Sequence, residues 1–367
     1  MQELAIRHPR NPVLERDTIA GYDALFNPGA MRFNGKIVLA VRAARDNRWF
    51  VGATQRSNLY SGQVCDHLLL ESDDDGETFK CTGRKITGSS STWFDGSTRE
   101  LAIPTCYGPY GTEDMRLCRV GEDIVGVVHA MTHEAYRGSG DKAGGRVGLV
   151  VTRDFMHFRR WVVGPGGEET DRDAWIIDRG NDIAFIHRVK PDEAGRRRMN
   201  KPSIQVAFFD NLDELIGAHP GYWREYLDSI HEHVIMSPCE ALSWESEKIG
   251  AGAIVEHEAG YVLFYHGVDE RSTYSTGAAL LDKDDLRTIA RLQEPLLQPH
   301  AWYERGDRGE DTKNVTFIGG AVRCQNDPKR IQLYYGAADT HVARADVPNL
   351  DELVEAILRS PIRGVYG

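Results

Sequence analysis

The chain has 367 residues, is 41% hydrophobic and 27% charged, and carries a formal net charge of −11. That balance gives ample apolar mass for a core and argues against a general nucleic-acid surface, which needs a basic face. No apolar run reaches bilayer-spanning length, and the opening MQELAIRHPRNP lacks the apolar stretch of a signal peptide. Six cysteines stand singly, without CxxC spacing, so free thiols in a reducing cytoplasm are expected.

In chain order, one pattern recurs five times. A turn of Gly, Asn or charged residues leads into a short apolar strand with a polar or aromatic tip. The copies are KIVLAVRA from Lys36, DIVGVVHA from Asp123, DIAFIHR from Asp182, YVLFYHGVD from Tyr261 and RIQLYYGAAD from Arg330. Each is followed by a second strand ending in an Asp turn: LLLESDDDGETF, GLVVTRDFMHF, VAFFDNLDEL, AALLDKDDLRTI and HVARADVPNLDEL. Repeats roughly 60–90 residues apart are too long for a solenoid unit and fit propeller blades with loop insertions. The expected fold is all-β, a five-bladed β-propeller forming one catalytic domain over residues 1–367.

Between the strands, SDDDGETF reads as an Asp-box hairpin in which Ser72 and Asp74 bond their own turn and Gly76 takes φ > 0. The clustered Asp73, Asp74 and Asp75 do not make an EF-hand series, which is longer and ends in Glu. Segment 211–236 reads as helical, with Leu212, Leu215, Trp223, Tyr226, Leu227 and Ile230 apolar and Pro220 interrupting. A terminal helix over 349–360 has Asn349 as N-cap and Leu353, Ile357 and Leu358 on one stripe. Both are expected on the outside of the propeller or in a subunit contact of a homo-oligomer. EAGRRRMNKP, 193–202, reads as a solvated basic loop.

Two features carry chemistry. The first is GPYGTEDMRLCRVGED, residues 108–123, where a Gly-rich lead-in delivers Glu113 and Asp114 onto a strand. Adjacent strand residues face opposite ways, so the two acids are not expected to act as a pair on one face. The second is the set of strand tips Arg42, His129, Arg188, His266 and Asp339. Read as the ends of innermost strands, they are expected to converge on one axial pocket.

NPGAMRFNGKIVLAVRA (27–43), GTEDMR (111–116), KIGAG (248–252), YHGVD (265–269), YSTGAALLD (274–282), EPLL (294–297) and YYGAADT (334–340) resemble, in order, the motifs of glycoside hydrolase family 130. That family contains β-mannoside phosphorylases and some β-mannosidases on a five-bladed propeller. The resemblance implies an inverting phosphorylase that cleaves a β-mannoside with inorganic phosphate to give α-mannose 1-phosphate. It implies that Arg172, Arg188, Lys248 and His266 bind phosphate. Asp114 would be the general acid, passing its proton through a sugar hydroxyl, with Glu113 beside it binding sugar or orienting the loop. Asn27, Arg42, Asp173 and Asp339 would hold the mannosyl ring. Tyr274, Tyr265 and Trp175 are aromatic faces for stacking or for the core. No metal and no cofactor is expected beyond phosphate as co-substrate, and neither nucleic acid nor a membrane is an expected partner.

A second carboxylate is not needed in this scheme, because phosphate is an anionic attacker that wants a cationic cradle instead of a general base. Departures from the family pattern are Met115 in place of proline, WIID after Arg172-Asp173-Ala174, and a long 190–236 region. They leave the acceptor sugar and the linkage open. A β-mannosidase using Glu240 or Glu270 as base is the competing enzyme reading, and a non-catalytic sugar-binding propeller is the third.

Overall fold

The computed structural model describes residues 3–45, 64–88, 91, 93–94, 100–101, 112–130, 146–165, 171–189, 201–310 and 312–367. Runs of Val, Ile, Leu and Ala form strands because branched side chains suit a pleated, packed surface, and Gly, Asn and Asp turns fold each run back on the last. The strands form five sheets in chain order, antiparallel throughout their four-stranded bodies.

After the short β1 (Ile6–Arg7), the first blade is β2 (Ala24–Phe33), β3 (Lys36–Arg45), β4 (Val64–Ser72) and β5 (Lys80–Thr87). The second is β8 (Thr112–Val120), β9 (Asp123–Ala130), β10 (Arg146–Thr152) and β11 (Arg159–Val163). It is widened at its edge by β6 (Trp93–Phe94) and β7 (Glu100–Leu101). The third is β12 (Asp171–Asp178), β13 (Ile183–Val189), β14 (Ile204–Phe209) and β15 (Val234–Met236). The fourth is β16 (Lys248–His257), β17 (Gly260–Val268), β18 (Tyr274–Leu281) and β19 (Thr288–Arg291). The fifth is β20 (Thr316–Arg323), β21 (Ile331–Ala337) and β22 (His341–Val347).

The N-terminal β1 pairs with β22 and completes the fifth sheet, which ties the two ends of the chain into one blade. The first strand of each blade neighbours the first strand of the next around the ring, β20 returning to β2. The five-bladed propeller expected from the repeats is therefore the fold. Apolar faces of successive blades pack on each other. Val38 and Leu69 meet Leu117, Val128 and Val150 between the first two blades, and Leu39 and Leu68 meet Tyr334 and Val342 between the first and fifth.

The repeated strands read from sequence are the second and third strand of each blade, and the innermost strands are different segments. Arg42, His129, Arg188 and His266 thus lie on second strands, and Asp339 lies in the turn after β21. The reason is visible in register: every innermost strand carries a bulge near its start, at Phe26/Gly29, Glu113/Arg116, Arg172/Trp175, Ala251/Ala253 and Ile318/Gly320. A bulge breaks the alternation by which a strand is recognised.

The 211–236 segment also differs from a helix with a kink. It forms helices at Leu212–Gly217 and Pro220–Asp228, a short 3₁₀ turn at Ile230–His233, and then the outer strand β15, so Val234–Met236 is sheet. Pro220 starts the second helix, where its missing N–H is no loss. The C-terminal helix is Leu350–Arg359 with Asn349 capping Asp351 N; Leu353, Val354 and Ile357 are buried and Leu358 is exposed. The Asp-box hairpin has the expected bonds: Gly76 N donates to Ser72 Oγ at 2.8 Å, Thr78 N to Asp74 Oδ1 at 2.9 Å, and Gly76 has φ 84°. No helix among the described residues is long and apolar enough to cross a membrane. The Gly-rich lead-in 108–111 and most of the basic loop 193–202 lie outside the described residues.

Candidate active site

Three of the five bulges deliver a polar side chain in the same backbone state. Asn27, Asp114 and Asp173 have φ of 44°, 54° and 53°, the left-handed region that Asn and Asp tolerate better than other residues with a side chain. At the same bulges in the other blades stand Gly252 and Gly319. Glycine is required where neighbouring inner strands touch: a Cβ on Gly29 would lie 2.5 Å from the Met115 carbonyl oxygen, and one on Gly319 would lie 2.5 Å from that of Pro28. Gly336 likewise leaves room for the side chain of Asn27.

The bulge overturns the expectation that Glu113 and Asp114 face opposite ways. Because Asp114 leaves the regular strand, both acids reach Arg42: Nη2 donates to Glu113 Oε1 at 2.8 Å and Nη1 to Asp114 Oδ1 at 3.0 Å. Asn27 Nδ2 donates to the same Asp114 oxygen at 2.8 Å. Arg42 is held on its other side by the Phe26 ring, 4.7 Å away, and by Cys65, whose Sγ accepts from Nε at 3.3 Å. Burial alone would raise the Asp114 carboxyl, but Arg42, Arg116 and the Asn27 amide hold it below the ordinary range. Asp339 has the opposite fate: burial, with Asp114 and Glu113 nearby, pushes it up to about 6 against the pull of Arg42.

Arg116 does not pair with the acids beside it. It is fully buried and reaches across the axis: Nη1 donates to the Asp114 carbonyl at 2.8 Å, and Nη2 to Asp173 Oδ1 at 3.0 Å and to the Ala251 carbonyl at 3.1 Å. Its guanidinium lies 5.3 Å from the Phe317 ring centre. Blades two, three, four and five are thus joined beneath the acids by one side chain.

The basic residues collect on the third and fourth blades. Arg172 and Arg188 stand opposite each other across β12 and β13. Arg188 pairs with Asp173, and His266 Nε2 lies 3.6 Å from the same carboxylate oxygen. His266 is stacked on Phe317 at 4.5 Å, and burial pushes it down to about 3, so it is a neutral imidazole with no partner for Nδ1. Lys248 Nζ bonds the Tyr274 hydroxyl at 2.5 Å. Burial, then Arg188 and Arg172, lower it to about 7. Arg172 also reaches His129 Nε2 at 3.2 Å, and burial beside Arg172 keeps that ring neutral, at about 4. Behind Arg172, Asp171 bonds His187 at 2.7 Å, and His187 reaches Tyr226 of the Pro220–Asp228 helix at 2.8 Å.

The residues singled out from sequence therefore gather at one end of the ring, where the inner strands begin. Two of the aromatic candidates are core: Trp175 packs in the apolar cluster, and Tyr265 is fully buried, donating to Glu245 at 2.6 Å. Glu240 and Glu270 are exposed turn residues. The sequence reading missed Arg116 and His67. His67, on β4, is fully buried, its Nε2 accepting from the Met115 N–H at 3.2 Å and its Nδ1 lying 3.0 Å from Thr112 Oγ1. Met115, where the family usually has proline, has that N–H to give.

The family model described as beta-1,4-mannooligosaccharide phosphorylase matches residues 222–359. The beta-1,2-mannobiose phosphorylase of Thermoanaerobacter sp. (strain X514) is 46% identical over 112 residues, 30% of this chain and 35% of that protein. The beta-1,2-mannobiose phosphorylase of Listeria innocua is 27% identical over 246 residues, covering 66% of this chain and 59% of that one. The matches thus span between about a third and three-fifths of these relatives' own length. A solved structure of beta-1,2-mannobiose phosphorylase from Listeria innocua with beta-1,2-mannobiose superposes with a TM-score of 0.71. It covers 97% of this chain and 99% of that one at 18% identity.

Proposed function

We propose that the chain is an inverting β-mannoside phosphorylase of glycoside hydrolase family 130, a reading supported by the family-model match over residues 222–359 and by the similarity to mannobiose phosphorylases. The observation that carries this reading is the basic set at the start of the third and fourth blades: Arg172 and Arg188 opposite each other across β12 and β13, and half-buried Lys248 bonded to Tyr274 at the start of β16. Like charges buried together are costly unless an anion joins them, and Arg forks suit the oxygens of phosphate. His266, neutral and with Nδ1 unpartnered, adds a polar group rather than a charge.

The reaction follows. A phosphate oxygen attacks C1 of the mannosyl unit from the basic side, the glycosidic C1–O bond breaks, and the leaving oxygen takes a proton that originates on Asp114 and passes through a sugar hydroxyl. The products are α-mannose 1-phosphate and the shortened mannoside. Asn27, Arg42, Glu113, Asp173, Tyr274 and Asp339 surround the mannosyl ring with acceptors and donors for its hydroxyls. Asp114 is ionised in the free protein, so it takes up one proton from solvent as the sugar binds, and that proton leaves on the departing oxygen. Covering Asp114 and Asp339 with a sugar removes water from two carboxyl groups on which Arg42 acts, which favours their protonated forms.

The test is turnover of β-1,2- and β-1,4-mannobiose with and without phosphate. Activity that needs phosphate, and that Lys248→Ala weakens about ten-fold or more through the KM for phosphate, supports the proposal. Equal activity without phosphate makes the protein a β-mannosidase.

A further inference from the structure

The bulge that carries Asp114 leaves a problem behind it. Met115 is displaced from the β8–β9 ladder, since register passes from Glu113–His129 to Arg116–Val127, so its N–H has no strand partner in a fully buried place. A buried amide without an acceptor is costly, and the bulge would tend to straighten to recover one. His67 supplies that acceptor from the third strand of the neighbouring blade, Nε2 at 3.2 Å. Its other nitrogen lies 3.0 Å from Thr112 Oγ1, on the other side of the two acids. Residues 112 and 115 are thereby fixed on one rigid ring, with Glu113 and Asp114 between them. Burial keeps His67 far from protonation, at about 3. Cys65, two residues earlier on β4, holds Arg42 on the same side of that strand.

We propose that His67 is a positioning residue that pins the Asp114 bulge from behind, as the neutral tautomer with the proton on Nδ1 and Nε2 as acceptor. The role rests on the reading of Asp114 as the acid, but the state of the ring does not. The bond needs an N–H at position 115, which a proline there would remove. Straightening the bulge would carry the Asp114 carboxyl away from Asn27 and Arg42, and displacement of a reacting group by about 1 Å can cost 10²-fold in rate.

The experiment is a double-mutant cycle with an independent spectroscopic arm. His67→Leu should lower kcat on a β-mannoside roughly ten- to hundred-fold and leave the KM for phosphate unchanged. The same substitution in an Asp114→Asn background should cost little more, and His67→Gln, whose amide oxygen can accept, should recover part of the loss. Equal losses in both backgrounds, or a loss expressed in the phosphate KM, would overturn the proposal. Should His67→Leu not fold, two-bond proton–nitrogen correlation on the wild type, with His67→Gln to assign the resonance, still decides. A proton on Nδ1 with bare Nε2 at neutral pH is expected, and a proton on Nε2 contradicts it. If the wild type turns over no mannoside with phosphate, the functional reading falls, while the ring state still stands or fails by itself.

Discussion

Asn27, Asp114 and Asp173 occupy one structural position in three blades, each with positive φ. An ordinary L-residue forced into that region loses about 1–2 kcal/mol, so the site keeps strain that glycine at these three positions would remove. Asp114→Asn retains size, φ preference and an oxygen that can accept from Asn27, and removes the transferable proton together with the charge paired to Arg42. General-acid assistance contributes on the order of 10²–10⁴-fold, so kcat on a β-mannoside should fall by that much. Reaction of mannosyl fluoride, whose leaving group needs no proton, should suffer far less. An equal loss on both would make Asp114 a binding residue. Lys248 yields a test without substrate. Its ordinary value is 10.5 and burial brings it to about 7, so the unfolded chain binds the proton more tightly. Stability then rises with pH between those values, and the full cost is present below pH 7. Lys248→Met should melt at a higher temperature than wild type at pH 6, with the gap closing toward pH 10, while the KM for phosphate rises about ten-fold or more. Identical melting curves at pH 6 would contradict a buried ammonium.

At the scale of elements, legibility followed regularity. The second and third strands of each blade are unbroken apolar runs with turn residues at their ends, and they were read at once from KIVLAVRA and its four counterparts. The first strands were not, because their bulges insert Asn-Pro-Gly, Asp-Met and Asp-Ala where alternation should continue. The tips of the second strands nevertheless led to the site, since antiparallel pairing sets them beside those bulges: Arg42 opposite Phe26, His129 opposite Glu113, Arg188 opposite Arg172. The roles of Glu113, Asp114, Lys248 and Asp173 came from motif resemblance, not from pattern. His67 left no signal, because a buried histidine looks like any other until the backbone it serves is known, and Arg116, though it closes the GTEDMR motif, gave no sign of the reach across to Asp173 and Ala251. The bulges also make a prediction about packing. Gly29→Ala places a methyl 2.5 Å from the Met115 carbonyl, a backbone atom that cannot swing away. It should cost about 1–3 kcal/mol by overpacking, seen as a lower melting temperature, and should lower kcat as well because Met115 follows Asp114. Wild-type stability would mean that the inner strands do not approach so closely.

For the whole molecule, the ring explains why residues from every quarter of the chain meet. Five blades in sequence order bring Asn27, Asp114, Asp173, Lys248 and Asp339 to one end of one axis, and β1 on β22 joins the last blade to the start of the chain. Glu113, Asp114 and Asp339 lie on blades two and five, and Arg172, Arg188, Lys248 and His266 on blades three and four, with Asp173 set among them. That separation by charge is what a displacement by an anion on one side and departure of a sugar on the other requires. It is tested most directly by running the reaction in ¹⁸O-labelled water with unlabelled phosphate and weighing the first product. Mannose 1-phosphate without label is predicted, because the oxygen at C1 comes from phosphate. Two equivalents of free mannose per mannobiose cleaved, with no mannose 1-phosphate, would contradict the account, because the attacker would then be water.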